Sequence, residues 1–332
     1  MKSFIALLIF GLTSLPQLHS APWVIYEGKQ GPGLGKHIVL ISGDEEYRSE
    51  EALPMLGKIL AVRHGFKCTV LFAINPADGA IDPNNQTNIP GVEALDSADM
   101  MVIFTRFREL PDDQMKHFAA FVNSGKPIFG IRTATHAFYY TRNKQSPYAK
   151  YDFRSKDWPN GFGQQVLGDT WVNHHGNHGK ESTRGVLNEQ LKNHPILKGV
   201  EDIWGPTDVY EIKNLKDGQV LVYGQVLEGM SPTDKPVAGP KNSPMMPIVW
   251  TRSFTGDSGK ASRVICSTIG AANDLASEGL RRVFVNACFW GVGLEDKIPA
   301  RTDVTPVGEY KPNNFGPNKF VKGVKPADLE LK

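Results

Sequence analysis

The sequence predicts an α/β protein with a doubly wound, mostly parallel sheet and helices on both faces. Short apolar runs rich in β-branched residues are typical of strands that are covered on both sides. Amphipathic helical patterns separate these runs, and such alternation of strand and helix is typical of a parallel sheet. The strands of the first half are predicted at residues 37–43 (HIVLISG), 68–73 (CTVLFA), 99–106 (DMMVIFTR) and 127–132 (PIFGIR).

Apolar residues at helical spacing predict the helices. In the first helix, Pro54 lacks the N–H of a helical hydrogen bond, so the regular part is expected from about Leu53 onward. Gly125 follows the second helix as a stop signal, and Ser277 precedes the third as an N-cap. The three helices are predicted at residues 50–63, 112–123 and 277–291.

The domain is expected to span residues 36–295, with an irregular excursion inside it. From 140 to 193 the periodicity gives way to aromatics, glycines and histidines, which favours a pocket-forming segment. Regular structure returns with GQVLVYGQV, MPIVWTRS and SRVICSTIG, which continue the same domain. Residues 296–332 are rich in Pro and Gly and lack periodicity, so an extended C-terminal tail is predicted there.

The N-terminus is typical of a secretory signal peptide. One Lys precedes an apolar run that is too short for a membrane span, and small and polar residues follow in MKSFIALLIFGLTSLPQLHSAPW. Residues 1–20 are therefore predicted to be removed on export, which places the mature protein in the periplasm or outside the cell. No other run is long and apolar enough to predict an integral membrane segment.

Charge and cysteine content restrict the classes of partner. The formal net charge of the 332 residues is +2, and no block of Lys and Arg is present, so nucleic acid is not an expected partner. The three cysteines lie in apolar surroundings that suit buried thiols. A single bridge between Cys68 and Cys266, across neighbouring strands, is the alternative in an oxidising compartment.

Polar residues follow the predicted parallel strands at their carboxyl ends, where ligands bind in open α/β sheets. Arg106 follows the third strand, and Arg132 and His136 follow the fourth. These side chains are expected to face one site. The loop after the first strand adds Asp44, Glu45, Glu46, Tyr47 and Arg48.

The carboxylates and the arginine among these residues suggest two chemical roles. Adjacent carboxylates such as Glu45 and Glu46 differ in proton affinity and can act as general acid and base. The alternative is a solvated acidic run that caps a helix. Arg132 can hold a carboxylate, a phosphate or a developing oxyanion with its fixed set of donors, or it can form a structural ion pair with the 44–46 loop.

The turn at Arg132 resembles the place where α/β hydrolases carry a nucleophile. Gly130 and Ala134 flank it, yet a guanidinium cannot attack a substrate. Thr133 is adjacent, and His136 is the nearest base in sequence. Acyl transfer by a catalytic triad is therefore disfavoured.

A histidine cluster lies in WVNHHGNHG. His174, His175 and His178 are spaced to bind Zn²⁺ or a similar divalent metal, with Asp208 or Glu211 as an oxygen ligand. The alternative is that one histidine serves as an acid–base group while the others hydrogen bond within the loop.

Aromatic residues offer a different class of function. Trp171, Tyr139, Tyr140 and Trp250 can stack against sugar rings in a non-catalytic binding module, or they can belong to the core.

A set of longer segments lies in order between residues 36 and 295. The segments are HIVLISGDEEYRSEEALPML, FVNSGKPIFGIRTATHAF, HHGNH, NHPILKGV, VYEI, PIVWTR, STIGAANDL and LRRVFVNACFWGVGLE. This ordered set resembles the trehalose-utilisation (ThuA-like) family, whose fold is similar to that of class I glutamine amidotransferases.

The resemblance implies a role in sugar catabolism, with oxidised (3-keto) glycosides as the substrate class and a small carbohydrate as the partner. The residues that match by position are the His174–His175 pair and the loop 44–48. Arg132 stands where family members often have His, and Ala271 stands where a His after Gly is common. Glutamine hydrolysis is not expected, because no cysteine lies at the turn.

The resulting hypothesis is an exported carbohydrate-active enzyme that uses acid–base chemistry. No cofactor is firmly implied, Zn²⁺ is the alternative, and the oligomeric state is not indicated. The candidate catalytic residues are Glu46, Arg132, His136 and His175, and the candidate substrate-binding residues are Asp44, Glu45, Tyr47, Arg48, Arg106, Trp171 and Glu211.

Overall fold

The computed structural model describes residues 21–331, and the predicted signal peptide lies outside them. One large mixed sheet with helices on both faces forms the body of the described chain. Its helices are α1 (Ser49–His64), α2 (Asp112–Val122) and α3 (Glu278–Gly291). The strands are β1 (Trp23–Tyr26), β2 (His37–Gly43), β3 (Lys67–Phe72), β4 (Met100–Thr105), β5 (Ile128–Ile131), β6 (Thr183–Leu187), β7 (Ile203–Gly205), β8 (Gln219–Val226), β9 (Met246–Thr255) and β10 (Ala261–Ser267).

The strand order is β1-β3-β2-β4-β5-β10-β9-β8-β6-β7. The five central strands from β3 to β10 are parallel, and the pairs at both sides of them are antiparallel. The prediction of a mostly parallel sheet is therefore right for the centre and wrong for the remainder. β9 and β10 are joined by a short hairpin connection, which imposes antiparallel pairing, whereas parallel neighbours need a crossover.

Two hydrophobic layers cover the sheet. α1 and α3 pack on one face, with Leu56, Ile59 and Phe284 fully buried. α2 packs on the other face through residues such as Met115 and Phe118. Burial on both sides explains why the central strands are continuous apolar runs in the sequence.

Helix α1 begins four residues earlier than the regular helix that the sequence predicts. Its first turn is held by tertiary contacts: the Ser49 hydroxyl hydrogen bonds to the Ser42 hydroxyl at 2.8 Å and accepts a bond from the Asp44 N–H at 3.1 Å. Pro54 lies inside the helix. The free energy gained by burying the first turn exceeds the cost of the one helical hydrogen bond that Pro54 cannot donate.

The excursion and the C-terminal segment both pack on this body. Residues 140–193 are largely irregular, as predicted, but they also contribute strand β6 to the sheet. After a short 3₁₀ turn at Glu295–Lys297 the chain runs over the surface. It is held there by bonds from the Ile81 N–H to the Val324 carbonyl (2.8 Å) and from the Tyr26 hydroxyl to the Leu329 carbonyl (2.8 Å).

The strand order reverses between β2 and β4, and this point positions the site. β2 continues through α1 to β3 on one side, while β4 and β5 lie on the other. Gly43 pairs with Thr105 at the ends of β2 and β4. The segments that follow these strands therefore leave the sheet side by side at its carboxyl edge.

Candidate active site

Asp44 organises the loop after β2 from a buried position. Its carboxylate accepts bonds from the Glu46 N–H at 2.7 Å, from the Tyr47 N–H, and from the Thr133 hydroxyl at 2.5 Å. The side chain has no exposed surface. Asp44 was predicted to bind substrate, but the structure gives it the role of shaping the loop.

Glu45 lies between two arginines at the site. One carboxylate oxygen lies 3.0 Å from the Arg108 guanidinium, and the other lies 3.4 Å from Arg106. Burial and the charge of Asp44 raise the pKa of Glu45 to about 7, against the opposing effect of both arginines. Glu45 therefore titrates near neutral pH.

Glu46 is largely buried and lies between Arg106 and His178. One oxygen forms an ion pair with Arg106, and the other lies 3.3 Å from Nε2 of His178. Burial would raise the pKa of Glu46, but the hydrogen bond to His178 and the charge of Arg106 outweigh it and hold the pKa below its usual value. The two adjacent carboxylates thus differ in proton affinity, as the sequence predicts.

Arg48 and Tyr47 were predicted to bind substrate, and the structure buries both. Arg48 donates to the Glu45 carbonyl at 2.5 Å and lies 3.5 Å from the Glu50 carboxylate. Tyr47 lies under the guanidinium of Arg132, 4.5 Å from its carbon to the ring centroid. Neither side chain exposes more than 1% of its residue surface, so neither reaches a substrate directly.

Arg132 is a structural cation rather than a group that faces substrate. Its backbone φ is +48°, and its NH1 nitrogen donates to the carbonyls of Asp208 (2.8 Å) and Thr268 (2.6 Å). The guanidinium carbon lies 3.9 Å from the ring centroid of Tyr210. Burial opposes its charge, but the surrounding tyrosines and Asp208 raise its pKa. The side chain is fully enclosed, which leaves no exposed surface for the predicted contact with a sugar or an oxyanion.

Asp208 connects Arg132 to the histidine loop. Its carboxylate accepts from Nδ1 of His174 at 2.6 Å and contacts Nδ1 of His178 at 2.9 Å, and it lies 3.3 Å from the second terminal nitrogen of Arg132. Burial would raise its pKa, and these partners instead hold the pKa well below the usual range. Asp208 is ionised at any physiological pH.

His178 joins the two halves of the site. Its imidazole lies between the carboxylates of Asp208 and Glu46, and about a third of the side chain is exposed. The hydrogen bonds to Asp208 and Glu46 raise its pKa to about 9, against the smaller effect of burial. At neutral pH His178 is therefore an imidazolium at the solvent edge.

His175 is separate from this network although it is next to His174 in sequence. Its Nε2 bonds to the carbonyl of Lys241 at 2.8 Å, and its N–H donates to the Val209 carbonyl. The structure thus corrects its predicted acid–base and metal-ligating roles, because successive residues of an extended segment point in opposite directions. Glu211 forms an ion pair with Lys213 at 3.0 Å and takes no part in the group of His174, His178 and Asp208.

His136 and Trp171 form the far side of the site. Their rings lie 5.1 Å apart between centroids, and Trp171 lies 5.8 Å from His174. Burial and the nearby arginines hold the pKa of His136 well below its usual value, so it is neutral. The half-buried Trp171 has an indole N–H without a hydrogen-bond partner among residues 21–331.

The other aromatic candidates belong mainly to the core. Trp250 is fully buried and donates to the Leu167 carbonyl at 2.8 Å, and Tyr140 is 4% exposed. Tyr139 is half-buried beside Phe107 and Phe153. Trp250 and Tyr140 therefore fit the alternative of a role in the core, and neither has an exposed ring face for stacking against a sugar.

Arg108 and Tyr210 also contribute to the site, although neither was predicted from the sequence. Arg108 is fully buried and donates to the carbonyls of Pro83 and Asn85 as well as to Glu45. The sequence did contain an indication of Arg108. It lies two residues after Arg106, and every second residue of an extended chain points to the same side. Tyr210 carried no signal, because its partner Arg132 is distant in sequence.

The three cysteines are free and buried, which confirms the prediction of buried thiols and excludes the alternative bridge between Cys68 and Cys266. β3 and β10 are not neighbours in the sheet. Cys68 packs with the layer of α1, and Cys266 packs with the layer of α2 on the opposite face. Their side chains thus point away from each other across the sheet.

Comparison with known proteins identifies the family. The family model for trehalose utilisation, ThuA, matches residues 80–291. The chain belongs to the ThuA family. This confirms the resemblance in the sequence, and the ThuA domain is implicated in trehalose utilisation and sugar metabolism.

The chain is similar to solved structures of ThuA-like proteins. A ThuA-like protein from Parabacteroides merdae is 13% identical, with a TM-score of 0.51 over 77% of this chain and 90% of that chain. A second, from Bacteroides uniformis, is 16% identical with a TM-score of 0.46 over 80% of this chain and 95% of the other. The first likeness shows a common α/β fold. No curated protein matches the chain.

Within residues 21–331 of this ThuA protein, every helix is too short or too polar to cross a membrane.

Proposed function

We propose that this ThuA protein is an exported carbohydrate-active enzyme that cleaves oxidised 3-keto glycosides by acid–base chemistry. The observation that carries the proposal is the contact of an ionised carboxylate, Glu46, with a protonated imidazole, His178, at the solvent edge of the site. The family's role in sugar metabolism supports the substrate class. The pattern of residues 1–20 supports export.

The chemistry needs a base, an acid and a cation, and the site supplies all three. A carbonyl at C3 acidifies the hydrogen at C2, which Glu46 removes. The enolate that forms is stabilised by Arg106, whose guanidinium already contacts Glu46. The C1–oxygen bond then breaks with the electrons of the enolate, and His178 gives its proton to the departing oxygen.

The products of this elimination are an unsaturated keto sugar and a free alcohol, so neither water nor an oxidant is consumed. Two residues from the first hypothesis take other roles. His178 replaces His175 as the acid, because the imidazole of His175 bonds to a backbone carbonyl outside the network. Arg106 replaces Arg132 as the accessible cation, because Arg132 is enclosed.

The test is turnover of 3-keto-trehalose by the purified protein and two variants. Glu46→Gln and His178→Asn should each lower kcat by about 10²–10⁴-fold, which is the usual contribution of a general acid or base. Glu228→Gln, an exposed carboxylate outside the site, is the matched control. Wild-type rates in Glu46→Gln would refute the mechanism, and sugar binding without turnover would instead indicate a binding module.

A metal-dependent hydrolase is the second candidate. One atom each from His174, His178 and Asp208 can be chosen so that all lie within 4.8 Å of one another, and two imidazoles with a carboxylate suit Zn²⁺. However, Nδ1 of His174 lies only 2.6 Å from Asp208, whereas two ligands of one tetrahedral zinc lie roughly 3.4 Å apart at the usual bond lengths. The positive charge of Arg132 also opposes a cation there.

The observed donor set therefore fits a shared proton better than a metal. Elemental analysis of the purified protein distinguishes the two. A stoichiometric transition metal, with activity lost on chelation and restored by Zn²⁺, would favour the hydrolase, and turnover by metal-free protein would exclude it.

A further inference from the structure

The C-terminal segment reaches the candidate site and is anchored on both sides of it. The Tyr310 hydroxyl donates to the Ala272 carbonyl at 2.7 Å, and Asn313 donates from its N–H and its amide group to the Glu51 carboxylate at 2.7 and 2.8 Å. The Gly316 N–H donates to the carbonyl of Glu46 at 2.7 Å. The backbone of residues 313–316 is thus tied to the candidate base and to the first turn of α1.

This anchoring places the ring of Phe315 against the acid–base pair. The ring stacks on Tyr47 with 5.7 Å between centroids and an interplanar angle of 28°. It also lies 5.3 Å from the imidazole of His178 at 61°. Phe315 is half-buried, so it stays partly accessible to solvent beside His178.

An aromatic surface next to charged hydrogen-bonding groups matches the two kinds of surface that a sugar presents. The C–H faces of a pyranose pack on aromatic rings, while its hydroxyl groups bond to carboxylates and imidazolium. We infer that Phe315 is the stacking platform for a sugar ring, so that the C-terminal segment completes the substrate site. This inference rests on the proposed function, because it assigns the substrate contact of the same site.

A purely structural role for Phe315 would be to fasten the segment to Tyr47. Two substitutions separate this role from sugar binding. Phe315→Leu keeps an apolar side chain for packing but removes the ring, and Phe315→Trp restores a ring. Val321→Ala is the matched control, because Val321 is an apolar residue of the same segment and is 56% exposed.

The experiment measures binding of trehalose and of 3-keto-trehalose by calorimetry, together with kcat, KM and thermal unfolding. Phe315→Leu should weaken binding and raise KM by about 2- to 10-fold, the range expected for loss of one aromatic contact, with kcat changed much less. Phe315→Trp and Val321→Ala should bind like the wild type.

Wild-type affinity in Phe315→Leu, or no binding of either sugar by the wild type, would overturn the inference. Failure of the proposed reaction gives a different result. In that case the wild type binds sugar without turning it over, and the loss of binding in Phe315→Leu still supports the stacking role. If Phe315→Leu lowers the unfolding temperature, the sugar affinity of Phe315→Trp is compared with that of the wild type instead. A loss of binding in Phe315→Trp, with its unfolding temperature unchanged, would overturn the inference.

Discussion

Asp208 contacts three side chains that come from two separate parts of the chain. His174 and His178 bind it from the excursion, and Arg132 approaches from the end of β5. The carboxylate is fully buried, so its charge depends on these partners in place of water. Asp208 is therefore expected to affect stability and chemistry together.

Replacement of Asp208 by Asn should destabilise the fold strongly. The substitution keeps the shape of the side chain but leaves the buried charge of Arg132 with less compensation, so we expect a loss of about 3–5 kcal/mol in unfolding free energy. Urea unfolding measures it. Asp217→Asn is the control, because that aspartate pairs with Arg252 but is 56% exposed, and its loss should stay within about 1 kcal/mol. Equal effects of the two substitutions would contradict the buried role.

His178 should titrate with a midpoint near pH 9 instead of near its ordinary value of 6.5. Because the folded state binds the proton more tightly, the stability that His178 contributes is fully present below pH 6.5 and is lost as the pH rises through 9. NMR of the imidazole C–H signals measures the midpoint. The stability difference between the wild type and His178→Asn should shrink over the same range. A midpoint near 6.5 would show that Asp208 and Glu46 do not share its proton.

At the scale of elements, the positions of the strands follow from the local pattern of apolar residues. The ends of several strands and helices depend instead on tertiary contacts. β2 lies at His37–Gly43 as predicted, and β3, β4 and β5 differ from prediction by one residue at each end. The start of α1 was not predictable from Pro54, because Ser42 and Asp44 fix its first turn. Tertiary contacts thus override a local helix-breaking signal.

The N-cap of α3 is a local feature that the sequence predicts and the structure confirms. The Ser277 hydroxyl accepts a bond from the Leu280 N–H at 3.3 Å and donates to the Asp202 carbonyl. Ser277→Ala should therefore lower the unfolding free energy by about 1 kcal/mol, as measured by chemical denaturation. The exposed Ser258→Ala should change it by less than about 0.5 kcal/mol. No difference between the two would mean that the cap contributes nothing.

At the scale of the whole molecule, one sheet joins both halves of the sequence. Parallel strands at its centre bring together the segments after β2, β4 and β5, and antiparallel strands extend the sheet toward the histidine loop. The C-terminal segment then closes over the Glu46 loop through Gly316. The candidate site is therefore assembled from the first strands, the excursion and the last residues of the described chain.

The distribution of the cysteines predicts how the whole fold responds to thiol reagents. Each thiol is fully buried, and burial raises the pKa of all three. Ellman's reagent should react negligibly with the native protein and should find three free thiols after unfolding without a reductant. A value of one thiol in the unfolded protein would reveal a disulfide and contradict the placement of Cys68 and Cys266 on opposite faces.

The site shows the same division between local and tertiary information. The carboxyl-end rule drew attention to Glu45, Glu46 and Arg106, because position at a strand end is a local property. It also selected Arg132, yet the sequence carries no sign that Tyr47 and Tyr210 enclose that side chain. His175 was favoured over His178 as the acid–base residue because its position matches the family. The directions of the two side chains in the structure favour His178 instead.

The sequence alone determined that this protein is α/β, where its central strands and helices lie, and which family it belongs to. These features depend on periodicity and short motifs, which act over a few residues. The tertiary structure decided the mixed character of the sheet, the burial of Arg132 and the approach of Phe315 to His178. Each of these depends on contacts between residues far apart in the chain, and the free energy of such contacts exists only after folding brings the surfaces together.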